Sequence, residues 1–196
     1  MSEIEHNVAT EARKMKVGPL KKTVVMVGMM GAGKTAVGRA LATRLDAKFL
    51  DSDAEIEIAA NMTVPEIFSR DGERFFRRRE AQIIKRLLRT ENCILSTGGG
   101  AFMSEHNRAM ISKNGVSVWL NADLAVLWSR VRHKTTRPLL RTGNPKAALG
   151  ALYEERVPIY ELADLNVMSD GKASIEQMVD RVLVALADRP DVLEQN

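Results

Sequence analysis

The chain has 196 residues, of which 45% are hydrophobic and only 5% are aromatic. This length allows one substantial core, and the scarcity of aromatic rings predicts that the core is mostly aliphatic. No stretch approaches the roughly 20 consecutive apolar residues that a membrane span needs. Residues 1–22 mix acids and bases without an apolar run. We therefore expect neither secretion nor a membrane partner.

The single cysteine bears on the cellular compartment of the protein, and the small positive charge bears on its binding partners. Cys93 lies in an apolar run and has no second cysteine to pair with, so we interpret it as a buried thiol in a reducing cytoplasm. The formal net charge is +4, but the 29 basic residues are interleaved with 25 acidic ones. A basic pocket for an anionic small molecule explains this charge, and without a basic tail we expect no nucleic-acid partner.

Short apolar runs alternate with longer helical patterns along the chain, which is typical of βαβ units in a parallel sheet. The predicted strands span residues 23–27, 48–50, 93–96, 116–120 and 165–168. The predicted helices span residues 34–45, 53–60, 64–70, 73–89, 104–113, 123–131 and 147–162, and a last helix follows an N-cap at Ser174. We predict a single domain over residues 21–187, with a polar N-terminal extension over 1–20 and a C-terminal tail over 188–196.

The segment 133–146 interrupts the helical pattern. It contains two prolines, one glycine and five basic residues when His133 is counted. Long loops inside a compact domain are often functional, and a cluster of cations suits a loop that closes over phosphates. We predict that this segment is a mobile lid loop.

A glycine-rich motif lies directly after the first predicted strand and directly before the first predicted helix. It reads Gly28-Met-Met-Gly31-Ala32-Gly33-Lys34-Thr35, the full pattern of a phosphate-binding P-loop. In such a loop, backbone N–H groups surround the phosphates at a helix N-terminus, the lysine reaches the β and γ oxygens, and the hydroxyl ligates Mg²⁺. The motif predicts nucleotide binding but does not identify the acceptor. The chain has no Asn-Lys-x-Asp segment, which disfavours a guanine-specific switch.

Two further motifs follow predicted strands. Asp51-Ser52-Asp53 comes at the end of the second strand, so both carboxylates are expected near the C-terminal edge of the sheet, where open α/β folds bind ligands. One carboxylate could hold magnesium through water and the other could accept a hydrogen bond from a hydroxyl substrate, or Asp53 could simply cap the next helix. Gly98-Gly99-Gly100 permits either close backbone approach to a ligand or a flexible turn.

Five separated motifs together resemble the shikimate kinases. They are the P-loop, Asp51-Ser52-Asp53, Phe76-Arg77-x-x-Glu80, the triple glycine, and Arg137-Pro-Leu-Leu followed by Arg156-x-Pro-x-Tyr160. Their order and spacing match the family over roughly residues 21–187. The resemblance implies an α/β, three-layer P-loop kinase fold, in which helices flank a five-stranded parallel sheet. It also implies a Mg²⁺-dependent transfer of the γ-phosphoryl group of ATP to the 3-hydroxyl of shikimate, giving shikimate 3-phosphate and ADP, in aromatic amino acid (chorismate) biosynthesis.

The resemblance assigns roles to the residues around shikimate. It implies that Asp53 hydrogen-bonds the ring hydroxyls, with a possible second role as base, and that Gly99 contacts the substrate through its backbone. Arg77 and Arg156 would grip the carboxylate, since a planar guanidinium forms charge-assisted, often bidentate bonds to such a group. Glu80, three residues after Arg77 on one helix, would hold that arginine in place or would form only an exposed pair with it.

The resemblance also assigns the contacts to ATP and metal. Arg137 in the lid would reach the phosphates when the loop closes, and Arg130 would flank the adenine. Thr35 would ligate Mg²⁺ directly and Asp51 would support it through water. The implied ATP-binding residues are Gly31, Ala32, Gly33, Lys34, Thr35, Ala36, Arg130 and Arg137. The implied catalytic residues are Lys34, Asp53 and Arg137.

Some residues near these motifs keep ordinary interpretations. Phe68 and Phe76 could line the substrate, although core packing is expected of Phe68. At least two of Arg77-Arg78-Arg79 are expected on a solvated helix face. Ala36 stands where many relatives have a second hydroxyl residue, and residues 169–172 offer no secure match to a nucleotide contact. The sequence therefore does not assign all the residues of the adenine pocket.

Two other functions also fit a P-loop. Another small-metabolite kinase, such as a gluconate kinase, would bind a hydroxylated carboxylate, but the triple glycine and the Phe76-Arg77 pair favour shikimate. A regulatory P-loop nucleotide-binding protein would have no use for paired arginines and a basic lid. We expect a monomer whose partners are shikimate and ATP.

Overall fold

A five-stranded parallel sheet forms the centre of the protein. The computed structural model describes residues 17–133 and 143–195. Its strands are β1 (Val17–Leu20), β2 (Thr23–Val27), β3 (Lys48–Asp51), β4 (Cys93–Ser96), β5 (Gly115–Ala122), β6 (Leu165–Ser169) and β7 (Leu193–Gln195). Strands β2 to β6 form the main sheet in the order β3-β4-β2-β5-β6, with every neighbouring pair parallel. The five predicted strands and the α/β class are confirmed.

Strand β2 lies in the middle of this sheet, and all five of its residues are buried. Val25 pairs with Leu95 of β4 on one side and with Ser117 of β5 on the other. Burial on both faces is typical of a parallel sheet that helices cover. Because parallel strands end at the same edge, the segments that follow β2, β3 and β4 meet there. This edge therefore brings the P-loop, Asp51 and the triple glycine together.

Helices lie on both faces of the sheet. In the described residues they are α1 (Lys34–Arg44), α2 (Ser52–Ala60), α3 (Val64–Thr90), α4 (Glu105–Asn114), α5 (Leu124–Val131), α6 (Pro145–Tyr160) and α7 (Ile175–Ala187). Helix α1 packs against α7, and α3 packs against α4, so the expected three layers are present. A 3-10 turn, Ala101–Met103, was not predicted, since three residues carry no periodic pattern. None of the helices described here is long and apolar enough to cross a membrane.

Helix α3 is interrupted at Gly72, where the sequence predicted a break between two helices. Gly72 has φ 79° and ψ 169°, which lie outside the helical region. A capping box starts the helix: Thr63 Oγ1 accepts from the Glu66 backbone N–H at 3.4 Å, and Glu66 Oε2 accepts from the Thr63 backbone N–H at 2.8 Å. The longer segment after the break carries Arg77 and Glu80.

The two ends of the described chain form an antiparallel ribbon that the sequence did not predict. Strand β1 pairs with β7, with Leu20 opposite Leu193, and the Lys21 backbone N–H donates to the Val192 carbonyl at 2.8 Å. Leu20, Val192 and Leu193 are buried in the core. The predicted domain limits, residues 21 and 187, therefore leave out residues that pack in the core. Strands of four and three residues are too short for the alternation that identifies a strand in a sequence.

Cys93 lies in β4 and is fully buried, as the sequence predicted. Its sulfur lies 3.8 Å from the hydroxyl oxygen of Thr23. Burial raises the pKa of the thiol to about 11. The thiol therefore stays protonated and unreactive at neutral pH.

Candidate active site

The P-loop runs from the end of β2 to the start of α1. Gly28, Gly31 and Gly33 have positive φ angles of 135°, 84° and 98°, a region that glycine adopts without strain. Lys34 is the first residue of α1, and its Nζ donates to the carbonyl oxygens of Gly28 at 2.7 Å and Met29 at 3.0 Å. This turn at a helix N-terminus has the form of a phosphate cradle.

A cleft of about 580 Å³ lies over this loop, a volume that suits a ligand of nucleotide size. Arg130 of α5 lines the cleft, and its Nη1 donates to the Gly31 carbonyl oxygen at 3.2 Å. The cleft continues from the P-loop to the predicted carboxylates, so one space connects them. Its lining consists of residues 30–37, Asp51, Asp53, residues 96–99, Arg130, Ser169, Ala173, Ile175 and Met178.

Thr35, Asp51 and Ser96 form a group of oxygen atoms next to the P-loop. Thr35 Oγ1 lies 3.4 Å from Asp51 Oδ2 and 3.3 Å from Ser96 Oγ. Carboxylate, hydroxyl and water oxygens are the ligands that suit Mg²⁺. Residues 17–133 and 143–195 contain no group of three or more His, Cys, Asp or Glu that could hold a metal ion. The oxygen group of Thr35, Asp51 and Ser96 has the donor chemistry that fits a magnesium ion.

Asp51, rather than Asp53, caps helix α2. Asp51 Oδ1 accepts hydrogen bonds from the backbone N–H groups of Asp53 at 3.0 Å and Ala54 at 3.5 Å. The helix begins at Ser52, so Asp53 lies in its first turn and its carboxylate is not used as the cap. The alternative that Asp53 only caps the helix is wrong.

Asp53 lines the cleft and is half-buried, whereas Glu80 is fully buried. Asp53 Oδ1 and Glu80 Oε1 have no hydrogen-bond partner within the described part of the chain. Burial is the main cause that raises the pKa of Asp53, and the nearby Asp51 carboxylate adds to it. Burial also raises the pKa of Glu80 to about 7, although Arg77 opposes the shift. A carboxyl group with a perturbed pKa in a cleft, such as that of Asp53, is typical of functional sites.

Two carboxylates of helix α3 hold Arg77. Its Nη1 donates to Glu80 Oε2 at 2.9 Å, and its Nε and Nη2 donate to Glu73 Oε1 at 3.2 and 3.1 Å. The Glu80 side chain is 1% exposed, whereas that of Glu73 is 64% exposed. The Glu80 side of the pair is therefore buried while Arg77 remains partly exposed, and the alternative of an exposed pair is wrong.

Arg78, Arg79 and Phe68 have the ordinary roles that the sequence predicted. Arg78 and Arg79 are exposed. Phe76 is buried, and its ring centroid lies 4.8 Å from that of Phe68, which packs against the core. The guanidinium carbon of Arg77 lies 5.2 Å from the centroid of the Phe76 ring. Phe76 therefore connects Arg77 to the packed interior.

Each glycine of the segment 98–100 lies against a different predicted substrate residue. A methyl group on the first glycine would lie 3.0 Å from Asp53 Oδ1, and one on the third would lie 2.5 Å from Arg77 Nη2. A methyl group on the second would lie 3.6 Å from Arg156 Nη1. The glycines therefore let three side chains approach the backbone closely, while close approach of this backbone to a ligand stays a prediction. Asp53, Arg77 and Arg156 meet around these glycines.

Arg156 approaches the triple glycine from helix α6. It is only 8% exposed, and its Nε has no hydrogen-bond partner among the residues described. A buried guanidinium nitrogen without an acceptor is costly, which favours an anionic ligand here. Tyr160, one turn later, donates from its hydroxyl to the Gly99 carbonyl oxygen.

Comparison with known proteins identifies the family. The family model described as Shikimate kinase matches residues 30–187. The chain belongs to the shikimate kinase family. A shikimate kinase of Ruegeria pomeroyi is 70% identical over 194 residues, which cover 99% of each chain. One of Cereibacter sphaeroides is 63% identical over 193 residues, which cover 98% of this chain and 96% of the relative.

A solved structure of the same family has the same fold. It is the shikimate kinase of Acinetobacter baumannii in complex with shikimate, with a TM-score of 0.80 and 35% identity. The match covers 86% of this chain and 94% of that chain. The predicted family and the P-loop kinase fold are confirmed.

The shikimate kinase site contains groups that the sequence did not single out. Ser96 closes β4 and lies beside Thr35, but in the sequence it is only the last residue of a strand. Ala173, Ile175 and Met178 line the cleft near the start of α7, just after residues 169–172, in which the sequence offered no nucleotide contact. Ile175 is 48% exposed, and this exposure follows from how its helix packs on the sheet, which the sequence alone does not give.

One predicted site residue lies outside the described part of the chain. Arg137 falls between residues 134 and 142, as does most of the predicted lid over 133–146. The other predicted site residues all belong to the P-loop, the cleft or the surroundings of the triple glycine.

Proposed function

We propose that this shikimate kinase transfers the γ-phosphoryl group of ATP to the 3-hydroxyl of shikimate, giving shikimate 3-phosphate and ADP. The observation that carries the proposal is the meeting of Asp53, Arg77 and Arg156 around glycines 98–100, beside the P-loop. A cyclic hydroxylated carboxylate needs an acceptor for its hydroxyl groups and cations for its carboxylate. These three side chains supply both.

Arg77 and Arg156 bind the carboxylate of shikimate from two different helices. A guanidinium has five N–H donors, and Arg77 uses three of them on Glu73 and Glu80. The remaining donors of Arg77, together with the unpaired Nε of Arg156, suit a bidentate carboxylate. The backbone of Gly99 contacts the ring between them.

Asp53 hydrogen-bonds the reacting hydroxyl and accepts its proton. The 3-oxygen forms a bond to the γ-phosphorus while the bond from that phosphorus to the leaving oxygen of ADP breaks. The raised pKa of Asp53 makes it a stronger base than an ordinary aspartate, while Lys34 and Arg77 favour its ionised form. The proton of the hydroxyl ends on the Asp53 carboxylate.

The P-loop holds the phosphates of ATP through the backbone N–H groups of residues 31–36 and through Lys34. Arg137 of the lid adds a second cation to the transferring group. Thr35 and Asp51 would hold Mg²⁺, the first directly and the second through water, and the bound ion would supply positive charge that neutralises the phosphates. Since phosphoryl transfer needs little covalent chemistry from the protein, these groups act mainly by position and charge.

The adenine lies between Arg130 and the apolar residues at the start of α7. Arg130 is tied to the P-loop through Gly31, so its guanidinium stays beside the base. Ile175 and Met178 line the same cleft and offer an apolar surface to the ring.

We further propose that the enzyme uses Mg²⁺ as its cofactor, acts in the cytoplasm and is a monomer. The cytoplasm is supported by the buried, unpaired Cys93. The monomer is supported by the small number of exposed large apolar side chains among the described residues. They are Ile58, Leu162, Met168 and Ile175.

The decisive experiment is an acceptor assay. Purified protein with Mg-ATP is expected to release ADP at least about tenfold faster with shikimate than with gluconate or without an acceptor. Lys34→Ala is expected to abolish turnover, while Asp53→Asn impairs shikimate turnover but spares nucleotide binding. Equal rates in all three mixtures would contradict the proposal. A preference for gluconate would favour another small-metabolite kinase, and full activity of Asp53→Asn would remove the base from the mechanism.

A further inference from the structure

Tyr160 lies in the interior of the site without a part in the chemistry proposed above. It is 0% exposed, and its ring lies between those of Phe102 and Trp119, at centroid distances of 6.3 and 6.1 Å. Its hydroxyl donates to the Gly99 carbonyl oxygen. Burial raises the pKa of the phenol above its ordinary value. The hydroxyl therefore keeps its proton and remains a donor at neutral pH.

Gly99 is the point at which the nucleotide side and the acceptor side of the site meet. A methyl group on Gly99 would lie 3.6 Å from each of three atoms: the Gly28 carbonyl oxygen, Arg156 Nη1 and the Tyr160 hydroxyl oxygen. The Gly28 oxygen also accepts a hydrogen bond from Lys34 Nζ at 2.7 Å. A shift of the Gly99 peptide would therefore disturb the surroundings of both substrates.

The ring of Tyr160 connects helix α6 to the strand beside the P-loop. Trp119, which stacks on it, belongs to β5 and pairs with Val27 of β2. The Cδ1 atom of Trp119 would lie 3.2 Å from a methyl group on Gly28. Arg156 and Tyr160 are four residues apart on α6, so their side chains leave the same face of the helix. The tyrosine thus contacts β5, the neighbour of the P-loop strand β2, through its ring and the triple glycine through its hydroxyl.

We propose that Tyr160 is a positioning residue. Its hydroxyl fixes the Gly99 peptide and thereby keeps Arg156 at a fixed distance from the P-loop. The inference rests on the proposed function and adds to it a group that acts through Gly99. Tyr160 sets the distance between the anchor of the shikimate carboxylate and the phosphoryl group of ATP. Misplacement of reacting groups by about 1 Å can lower a rate by about a hundredfold.

The variant Tyr160→Phe removes the hydroxyl and keeps the ring. We expect kcat/KM for shikimate to fall by about tenfold to a hundredfold, with KM for ATP within about twofold of the wild-type value. Steady-state kinetics with each substrate varied in turn measures both. The matched control is Tyr153→Phe, because Tyr153 lies on the same helix and is only half-buried. This control is expected to leave all constants unchanged.

A second variant separates positioning from a general structural role. In an Arg156→Lys background, Tyr160→Phe is expected to cost less than in the wild-type background, because the hydroxyl acts through Arg156. Full additivity, unchanged shikimate kinetics, or an equal loss for shikimate and ATP would overturn the inference. A wild-type protein without shikimate-dependent ADP release would instead overturn the proposed function. An active wild type beside a fully active Tyr160→Phe would overturn the positioning role alone.

The wild-type protein provides a measurement that does not depend on the folding of a variant. A buried, hydrogen-bonded hydroxyl proton exchanges slowly with water, so Tyr160 is expected to give a resolved proton NMR signal. This signal should shift when shikimate is added and much less when ADP is added. A signal that is absent, or indifferent to shikimate, would overturn the inference.

Discussion

Glu80 is a buried carboxyl group whose protonation links the site to the stability of the fold. Its pKa is raised from 4.5 to about 7, mainly by burial. Between these two values the folded protein holds a proton that the unfolded chain has released. The stabilisation from this proton is complete below pH 4.5 and is lost as the pH rises through 7. Above that pH Glu80 is ionised, with Arg77 at 2.9 Å as its counterion.

Replacing Glu80 with glutamine removes this dependence of folding stability on pH. We expect the free energy of unfolding of the wild type, relative to that of Glu80→Gln, to fall by about 3 kcal/mol as the pH rises from 4.5 to about 7. Urea unfolding in a series of buffers across this range measures the difference. Glu73→Gln, which removes an exposed carboxylate from the same arginine, serves as control and should follow the wild type. Parallel curves for wild type and Glu80→Gln would refute the assignment.

At the scale of elements, Gly100 lets the Arg77 side chain of α3 lie against the segment that follows β4. Gly100 has φ −91° and ψ −12°, a conformation that alanine also adopts. A methyl group there would nevertheless lie 2.5 to 2.7 Å from three atoms of the Arg77 guanidinium. The side chain of Arg77 would have to move, while the backbone of both elements could stay in place.

Gly100→Ala is therefore expected to weaken shikimate binding without unfolding the protein. We predict that KM for shikimate rises by about tenfold or more, because a displaced guanidinium loses its bidentate geometry, while KM for ATP changes little. Kinetics and thermal unfolding of the variant measure the two effects. Gly150→Ala on α6, where the nearest atom would lie 3.8 Å away, is the control. An unchanged KM for shikimate would show that Arg77 does not bind the substrate.

The strands and helices of the sheet region could be predicted because each carries its own pattern. β2 and β4 are continuous apolar runs, and α7 has a clear apolar stripe. The cap of α2 could not be assigned, since Asp51 and Asp53 are equally good capping residues in a sequence. Only the backbone angles at the start of the helix make Asp51 the acceptor.

Site residues could be predicted where they belong to a motif with one chemical use. They could not be predicted where the fold brings together residues that are distant in the sequence. Lys34 and Thr35 follow from the P-loop pattern alone. Ser96 approaches Thr35 across 61 residues of sequence, and Ile175 is simply the first apolar residue of a helix. Their places depend on strand order, which the pattern of single elements does not determine.

At the scale of the whole molecule, the terminal ribbon closes the core. Leu193 is 1% exposed, although it lies beyond the last helix. Leu193→Ala is expected to lower the free energy of unfolding by about 2 to 5 kcal/mol, since it leaves a cavity in a packed core. Urea unfolding measures this loss. Glu194→Ala, at the exposed next residue, should change stability by no more than about 0.5 kcal/mol, and equal effects would mean that the ribbon contributes no core packing.

The order of the strands delays the assembly of the site while the chain is being synthesised. The P-loop, Asp51 and the triple glycine all emerge within the first 100 residues. Strand β2, which precedes the P-loop, nevertheless needs β4 on one side and β5 on the other, and β5 ends only at Ala122. A nascent chain that already contains the whole P-loop still lacks the scaffold that shapes this loop. We therefore expect nucleotide binding only after the sheet has formed, and not as soon as the motif has been synthesised.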